Sequence, residues 1–144
     1  MTKELSNKQN RIKTIIGVAV GVTVMILIQL FVFKTESFDK QMMKAASEIN
    51  KMCPIMVDKE TRLDNAIALP NNVFQYNYTL INIEKDNINI SELKEYLKPN
   101  ILNTIKTNPD LKSFREHKTT MSYNYKDKNN VFLFKLSFTP EQYK

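Results

Sequence analysis

Few side chains in this sequence could carry out chemistry, and the first candidate is a thiol. Cys53 and His117 are the single cysteine and the single histidine of the chain. A cysteine beside a histidine can serve as a nucleophile. Cys53, however, lies on the apolar side of a predicted helix next to Pro54, and a lone buried cysteine is usually a small apolar residue. No catalytic residue is therefore predicted, and we do not expect an enzyme.

The second candidate is a charged cluster. Asp58, Glu60 and Arg62 alternate along a predicted strand, so they would share one face of it. Two carboxylates about 7 Å apart would suit glycoside hydrolysis. Charges on an outer strand also prevent edge-to-edge pairing. Because no cleft is predicted, a solvated edge is the first interpretation of these residues. The functional alternative is a contact with a protein partner, made together with the exposed side of the predicted helix from Phe38 to Met52.

Cofactor and metal sites need residue types that the sequence lacks. Phosphate-binding loops need glycine, and both glycines of the chain lie in one apolar segment. A structural zinc site needs several cysteines and histidines. The net charge of +6 is spread along the chain, which is not typical of nucleic-acid binding. No cofactor, metal or nucleic acid is predicted.

The apolar segment, residues 14–33, contains no charged side chain. At 1.5 Å per residue a helix of this length spans about 30 Å, the thickness of the hydrocarbon core of a bilayer. We predict a transmembrane helix that contacts the lipid bilayer. A cleaved signal peptide is the alternative, but its apolar region is shorter and ends in small residues.

Gly17 and Gly21 have the G-x-x-x-G spacing at which two membrane helices can approach closely. They form a predicted helix–helix seam, either for a homodimer or for docking onto another membrane helix. The alternative is that glycine is simply common in membrane helices.

The position of this segment divides the chain into three predicted regions. Residues 1–13 would be a short cytoplasmic tail, residues 14–33 the transmembrane helix and residues 34–144 an extracytoplasmic globular domain. Lys and Arg are more frequent before the helix than after it, which favours the N-terminus inside. The predicted location is the inner (cytoplasmic) membrane of a bacterium, as a single-pass protein.

The globular region has helical and strand periodicities in the order α-β-β-α-β-β. One helical face runs from Phe38 to Met52 and ends at Pro54. Another helix opens near Ser91, with a kink or a division at Pro99. Four segments alternate as strands: Ile55 to Leu63, Val73 to Ile81, Thr119 to Lys126 and Val131 to Phe138.

The predicted fold class is therefore α+β, with a four-stranded antiparallel sheet covered by helices on one face. The aromatic side of the strands supplies the core, because aromatic and polar residues alternate along them. Since this region has no glycine, its turns must use Asn, Asp and Pro.

The stretch from Ile49 to Leu80 resembles a group of uncharacterised small bacterial proteins that are exported or membrane-anchored. The resemblance covers about a fifth of the chain and implies a bacterial, extracytoplasmic protein, but it carries no functional residue. The shared positions are Asn50, Cys53-Pro54, Asp58, Thr61-Arg62-Leu63, Tyr76 and Tyr78.

Two functions fit these observations. The first is a non-enzymatic protein-interaction module whose partner belongs to a bacterial envelope or secretion assembly. The second is a periplasmic immunity or stress-protection protein that neutralises a toxin or a hydrolase. An immunity gene normally lies beside its toxin gene, so the neighbouring genes discriminate between the two.

Overall fold

A computed structural model describes residues 37–144. The predicted cytoplasmic tail, the predicted membrane helix 14–33 and the Gly17–Gly21 seam lie outside these residues. No helix within residues 37–144 is long and apolar enough to cross a membrane.

The first helix, α1 (Phe38–Met52), forms where the sequence predicts it. Its apolar residues recur at steps of three and four, and they bury one stripe against the sheet. The helix ends at Cys53, whose backbone is extended (φ −81°, ψ 151°), because the residue before a proline disfavours helical geometry. The buried stripe consists of Met42, Ala45, Ala46 and Ile49.

Five strands form one sheet in the order β1-β2-β3-β4-β5. The pairs β1–β2, β2–β3 and β4–β5 are antiparallel, whereas β3 and β4 are parallel. The strands are β1 (Ile55–Met56), β2 (Thr61–Leu69), β3 (Val73–Leu80), β4 (Thr120–Lys126) and β5 (Phe132–Phe138).

The predicted four-stranded antiparallel sheet is therefore wrong in two respects. The sheet is mixed, because the chain between β3 and β4 (residues 81–119) carries a helix across the sheet, and such a crossover brings the next strand in parallel. The sheet also has a fifth strand, because a turn at Asp58 divides the predicted strand Ile55 to Leu63 into β1 and the start of β2.

The crossover contains α2 (Ile90–Thr107) and the short α3 (Lys112–Glu116). Pro99 neither divides α2 nor starts a second helix, since the apolar residues on both sides of it lie on one buried stripe. Asn89, rather than Ser91, caps α2 by accepting the backbone N–H of Glu92 at 3.2 Å. The buried stripe is Leu93, Leu97, Ile101 and Ile105.

One contiguous core lies between the helices and the aromatic face of the sheet. Four tyrosines of β3 and β4 form its centre, and each is at most 4% exposed. Neighbouring rings in this group stack with centroids 5.2–6.5 Å apart. The last helix, α4 (Pro140–Tyr143), closes this core. The tyrosines are Tyr76, Tyr78, Tyr123 and Tyr125.

Candidate functional site

The structure places the predicted partner contact in a tight turn rather than on one strand face. Asp58 Oδ1 accepts the backbone N–H groups of Glu60 at 2.6 Å and Thr61 at 2.7 Å. Glu60 accepts a hydrogen bond from Asn82 at 2.8 Å. Each of these carboxylates is therefore held in a network of its own.

Arg62 is the third residue of the predicted contact. Its Nε donates to Asp64 Oδ1 at 2.6 Å, and Asp64 Oδ2 accepts the hydroxyl of Thr79 at 2.6 Å. Arg62 thus belongs to the polar side of the sheet, whereas Asp58 lies in the turn before β2. The three residues do not form the common face that the alternating pattern predicts.

The turn also holds buried oxygen atoms that lack a partner. Within residues 37–144, Asp58 Oδ2 and Thr61 Oγ1 are buried without a hydrogen bond. Burial raises the pKa of the Asp58 carboxyl above its ordinary value, against the opposing effect of the N–H groups of Glu60 and Thr61. Ionisation of Asp58 therefore costs the folded state more free energy than ionisation of an exposed carboxyl would.

The structure separates the two residues of the only candidate thiol dyad. Cys53 follows the C-terminal end of α1, whereas His117 stacks on Phe38 at the opposite end, with ring centroids 3.8 Å apart. A helix of this length separates its ends by roughly 20 Å. Burial, and then the nearby Asp64 carboxylate, raises the pKa of the Cys53 thiol, which lowers its nucleophilicity at neutral pH.

The two edges of the sheet differ in how they are protected. The edge strand β1 contains only two residues, and a short edge strand offers little backbone to another chain. The edge strand at the other side, β5, has seven residues. Within residues 37–144, no hydrogen bond reaches β5 from any element other than β4. The outer side of the β5 backbone is therefore open with respect to the rest of residues 37–144.

A groove runs along β5, between this strand and the first half of α2. It encloses about 470 Å³. Residues 91–98 of α2 form one wall and residues 135–138 of β5 form the other. Both walls are about 10 Å long, since a helix rises 1.5 Å per residue and a strand about 3.3 Å. The lining residues are Ser91, Lys94, Glu95, Lys98, Lys135, Leu136, Ser137 and Phe138.

The groove carries a net positive charge. Lys94, Lys98 and Lys135 are exposed and line it, with Glu95 as the single acidic residue of the lining. None of the three lysines forms an ion pair with a residue of the described part of the chain. Ammonium groups without partners beside open backbone groups make a surface suited to an acidic segment.

Reasoning from the sequence misses this groove. The spacing of Lys94 and Lys98 places both on one helix face, and this signal is visible in the sequence. Its meaning depends on which strand forms the edge of the sheet, and that depends on the parallel pairing of β3 and β4.

The fold defines a class: an α+β domain with a five-stranded mixed sheet and its helices packed on the aromatic face. The chain belongs to the family described as "Domain of unknown function (DUF8479)", whose model matches residues 37–134. No curated protein matches the sequence.

Two solved structures are similar to the chain. One is a "putative secreted protein" from Pseudomonas aeruginosa, at 10% sequence identity and a TM-score of 0.63, covering 74% of this chain and 92% of that one. The other is the type II secretion system pilotin AspS from Vibrio cholerae, at 10% identity and a TM-score of 0.55, covering 72% of this chain and 90% of that one. At this identity the likeness shows a shared fold.

The predicted inner-membrane location needs correction. No helix of residues 37–144 could span a bilayer, and the similar structures are named as a secreted protein and a secretion-system pilotin rather than as a single-pass membrane protein. The likeness to a protein named as secreted agrees with the coarser part of the sequence resemblance, which is to exported bacterial proteins.

Proposed function

We propose that this domain is a non-enzymatic protein-interaction module of a bacterial envelope or secretion assembly, and that it binds its partner in the groove between β5 and α2. The observation that carries the proposal is the outer backbone of β5, which no other strand of residues 37–144 pairs with, beside three lysines that form no ion pair within those residues. A strand edge of this length is an aggregation hazard unless something covers it. A bound partner would cover it.

The comparisons support an envelope or secretion context. A fold shared with a type II secretion pilotin and with a protein named as secreted fits a module that acts on other proteins outside the cytoplasm. Fold alone does not determine function, so the proposal depends on the groove of this chain and on the experiment below.

A binding role also agrees with the arrangement of the reactive side chains. Cys53 and His117 lie at opposite ends of α1, and Asp58 and Glu60 are engaged in separate hydrogen bonds. Catalysis requires such groups to converge on one reacting atom. The groove residues, in contrast, offer charge and backbone hydrogen bonds, which are the means of recognition.

Affinity purification of the full chain from its own bacterium tests the proposal. The groove variant carries Lys94→Glu and Lys98→Glu. The matched control carries Lys40→Glu and Lys59→Glu, two exposed lysines away from the groove that give the same change in net charge. We expect the wild type and the control to retain the same envelope protein and the groove variant to lose it by at least about tenfold.

Two results would overturn the proposal. One is equal recovery of every associated protein by the groove variant and the control. The other is turnover of a substrate by the purified chain that disappears in Cys53→Ser or His117→Ala while the domain stays folded. Thermal unfolding of each variant confirms that a lost partner does not reflect a lost fold.

A further inference from the structure

We infer that the partner contributes an extended acidic segment that pairs with β5 as a sixth strand of the sheet. This inference rests on the proposed function and specifies the chemistry of the partner. Addition of a strand to an open sheet edge obtains its affinity from backbone hydrogen bonds and its selectivity from alternate side chains.

The backbone of β5 is regular enough for such pairing. Its register with β4 runs unbroken from Phe134 to Phe138, and the irregularity of this pair lies at the other end of the strand, between Tyr125 and Lys126. Alternate residues of an edge strand direct their N–H and C=O groups outward. An added strand of about five residues would satisfy these outward groups without rearrangement of the sheet.

The lysines of α2 match the repeat of an extended chain. Lys94 and Lys98 lie one helical turn apart, a rise of about 6 Å. Side chains at positions i and i+2 of a strand are about 6.5–7 Å apart on one face. Two carboxylates at alternate positions of the added strand therefore meet both ammonium groups, and Lys135 of β5 is available to a third.

The charge of the groove argues against one other occupant, and the β5 backbone argues against a second. A second copy of this chain pairing through β5 would bring Lys94, Lys98 and Lys135 of each copy together, and like charges in an interface repel. A helix in the groove would leave the outward backbone groups of β5 without hydrogen bonds, because a helix satisfies its own backbone internally.

Protection of β5 against unwanted strand pairing explains only some of the residues in the groove. Lys135 and the irregularity at the start of β5 are ordinary means of discouraging edge pairing. Lys94 and Lys98 lie on the helix rather than on the edge strand, so they would not be needed for that purpose. Their position across the groove points to an acidic occupant.

Peptide selection against the full chain provides the test. Peptides of about twelve residues are selected from a random display library. Each binder is then resynthesised in two N-methylated forms, with methyl groups on the odd or on the even backbone nitrogens. N-methylation removes a backbone donor but keeps the side chain, so in strand pairing only one of the two sets faces β5.

We expect acidic binders for which one N-methylated form loses at least about tenfold in affinity and the other keeps it within about twofold. Binding should slow amide hydrogen exchange in residues 133–138, and Lys94→Glu with Lys98→Glu should weaken it while Lys40→Glu with Lys59→Glu does not. Binders without acidic residues, an equal effect of the two N-methylated forms, or protection elsewhere in the chain would overturn the inference.

The two proposals fail separately. If the groove variant loses its envelope partner in cells but both N-methylated forms bind alike, strand addition is wrong and the interaction module stands. If the groove variant keeps its partner in cells, the proposed function itself is wrong.

Discussion

The side-chain amide of Asn50 binds both polar groups of the Ala66 backbone: Nδ2 donates to the carbonyl at 2.9 Å, and Oδ1 accepts the N–H at 2.7 Å. Ala66 lies in the part of β2 beyond the start of β1, whose first pair is Ile55 with Leu63. Helix α1 thereby satisfies backbone groups that a neighbouring strand would otherwise bind. Among residues 37–144, α1 thus binds part of the β2 backbone that β1 leaves without a neighbouring strand, whereas no such bond reaches the outer side of β5.

Removal of this bridge should destabilise the domain. Asn50→Ala leaves the buried N–H and C=O of Ala66 without partners, which costs about 1–3 kcal/mol. We expect a lower urea midpoint with an unchanged slope. Ser47→Ala, at another exposed position of α1, serves as the control and should change the free energy of unfolding by less than about 0.5 kcal/mol. A midpoint for Asn50→Ala equal to that of the control would contradict the role of the bridge.

The buried carboxylate of Asp58 should make stability depend on pH. Burial raises the pKa of Asp58 in the folded state above its value in the unfolded chain. The free energy of unfolding that the protonated Asp58 contributes is therefore fully present below about pH 4, the ordinary pKa of the group. It is lost as the pH rises through the pKa of the folded state. Asp58→Asn removes the charge and keeps an oxygen for the N–H groups of Glu60 and Thr61. Urea unfolding is measured at pH 3.5 and pH 7. The free energy of unfolding of the variant, relative to that of the wild type, should be greater at pH 7 than at pH 3.5.

The control for this pH series is Asp86→Asn, at an exposed carboxyl. If Asp58→Asn differs from the wild type by the same free energy at both pH values, Asp58 is not the group responsible.

Two tyrosine hydroxyls in the core should behave in opposite ways. Tyr143 donates to the carbonyl of Thr119 at 2.6 Å, and Tyr143→Phe should cost about 1–2 kcal/mol. Burial raises the pKa of Tyr143 to about 12, so the hydroxyl keeps its proton at the pH of the measurement. The hydroxyl of Tyr76 is buried without a partner among residues 37–144, and Tyr76→Phe should be neutral or stabilising.

Chemical unfolding of the two phenylalanine variants side by side is the measurement. Both remove one oxygen from an almost fully buried ring, so each is the other's control. Equal losses of stability in the two variants would contradict the assignment of the Tyr76 hydroxyl as a group without a hydrogen bond.

Local structure could be predicted from the sequence where one face of an element is buried. The spacing of apolar residues predicts α1, and the alternation of aromatic and polar residues predicts β3, β4 and β5 to within about one residue. Two of the glycine-free turns follow the prediction, since Asn71, Asn72 and Asn130 adopt positive φ, whereas Lys118 adopts positive φ in a turn that the prediction does not cover. In each case neighbouring residues alone determine the outcome.

Two features of the sheet could not be predicted in this way. Asp58 continues the alternation of a strand, but its side chain binds the backbone two and three residues later and turns the chain. The parallel pairing of β3 with β4 is set by how α2 packs across the sheet, which no local pattern records. The groove depends on that pairing, because it combines Lys98 and Lys135 from distant parts of the sequence.

The most direct test of the central claim is photo-cross-linking in the source cells from two positions. A photoreactive amino acid replaces Ser137 in the groove in one variant and Glu60 in the turn before β2 in the other. We predict that position 137 captures an envelope protein, that Lys94→Glu with Lys98→Glu abolishes the capture while Lys40→Glu with Lys59→Glu does not, and that position 60 captures nothing. Capture of a partner from position 60, with none from position 137, would contradict the account and return the contact to Asp58, Glu60 and Arg62.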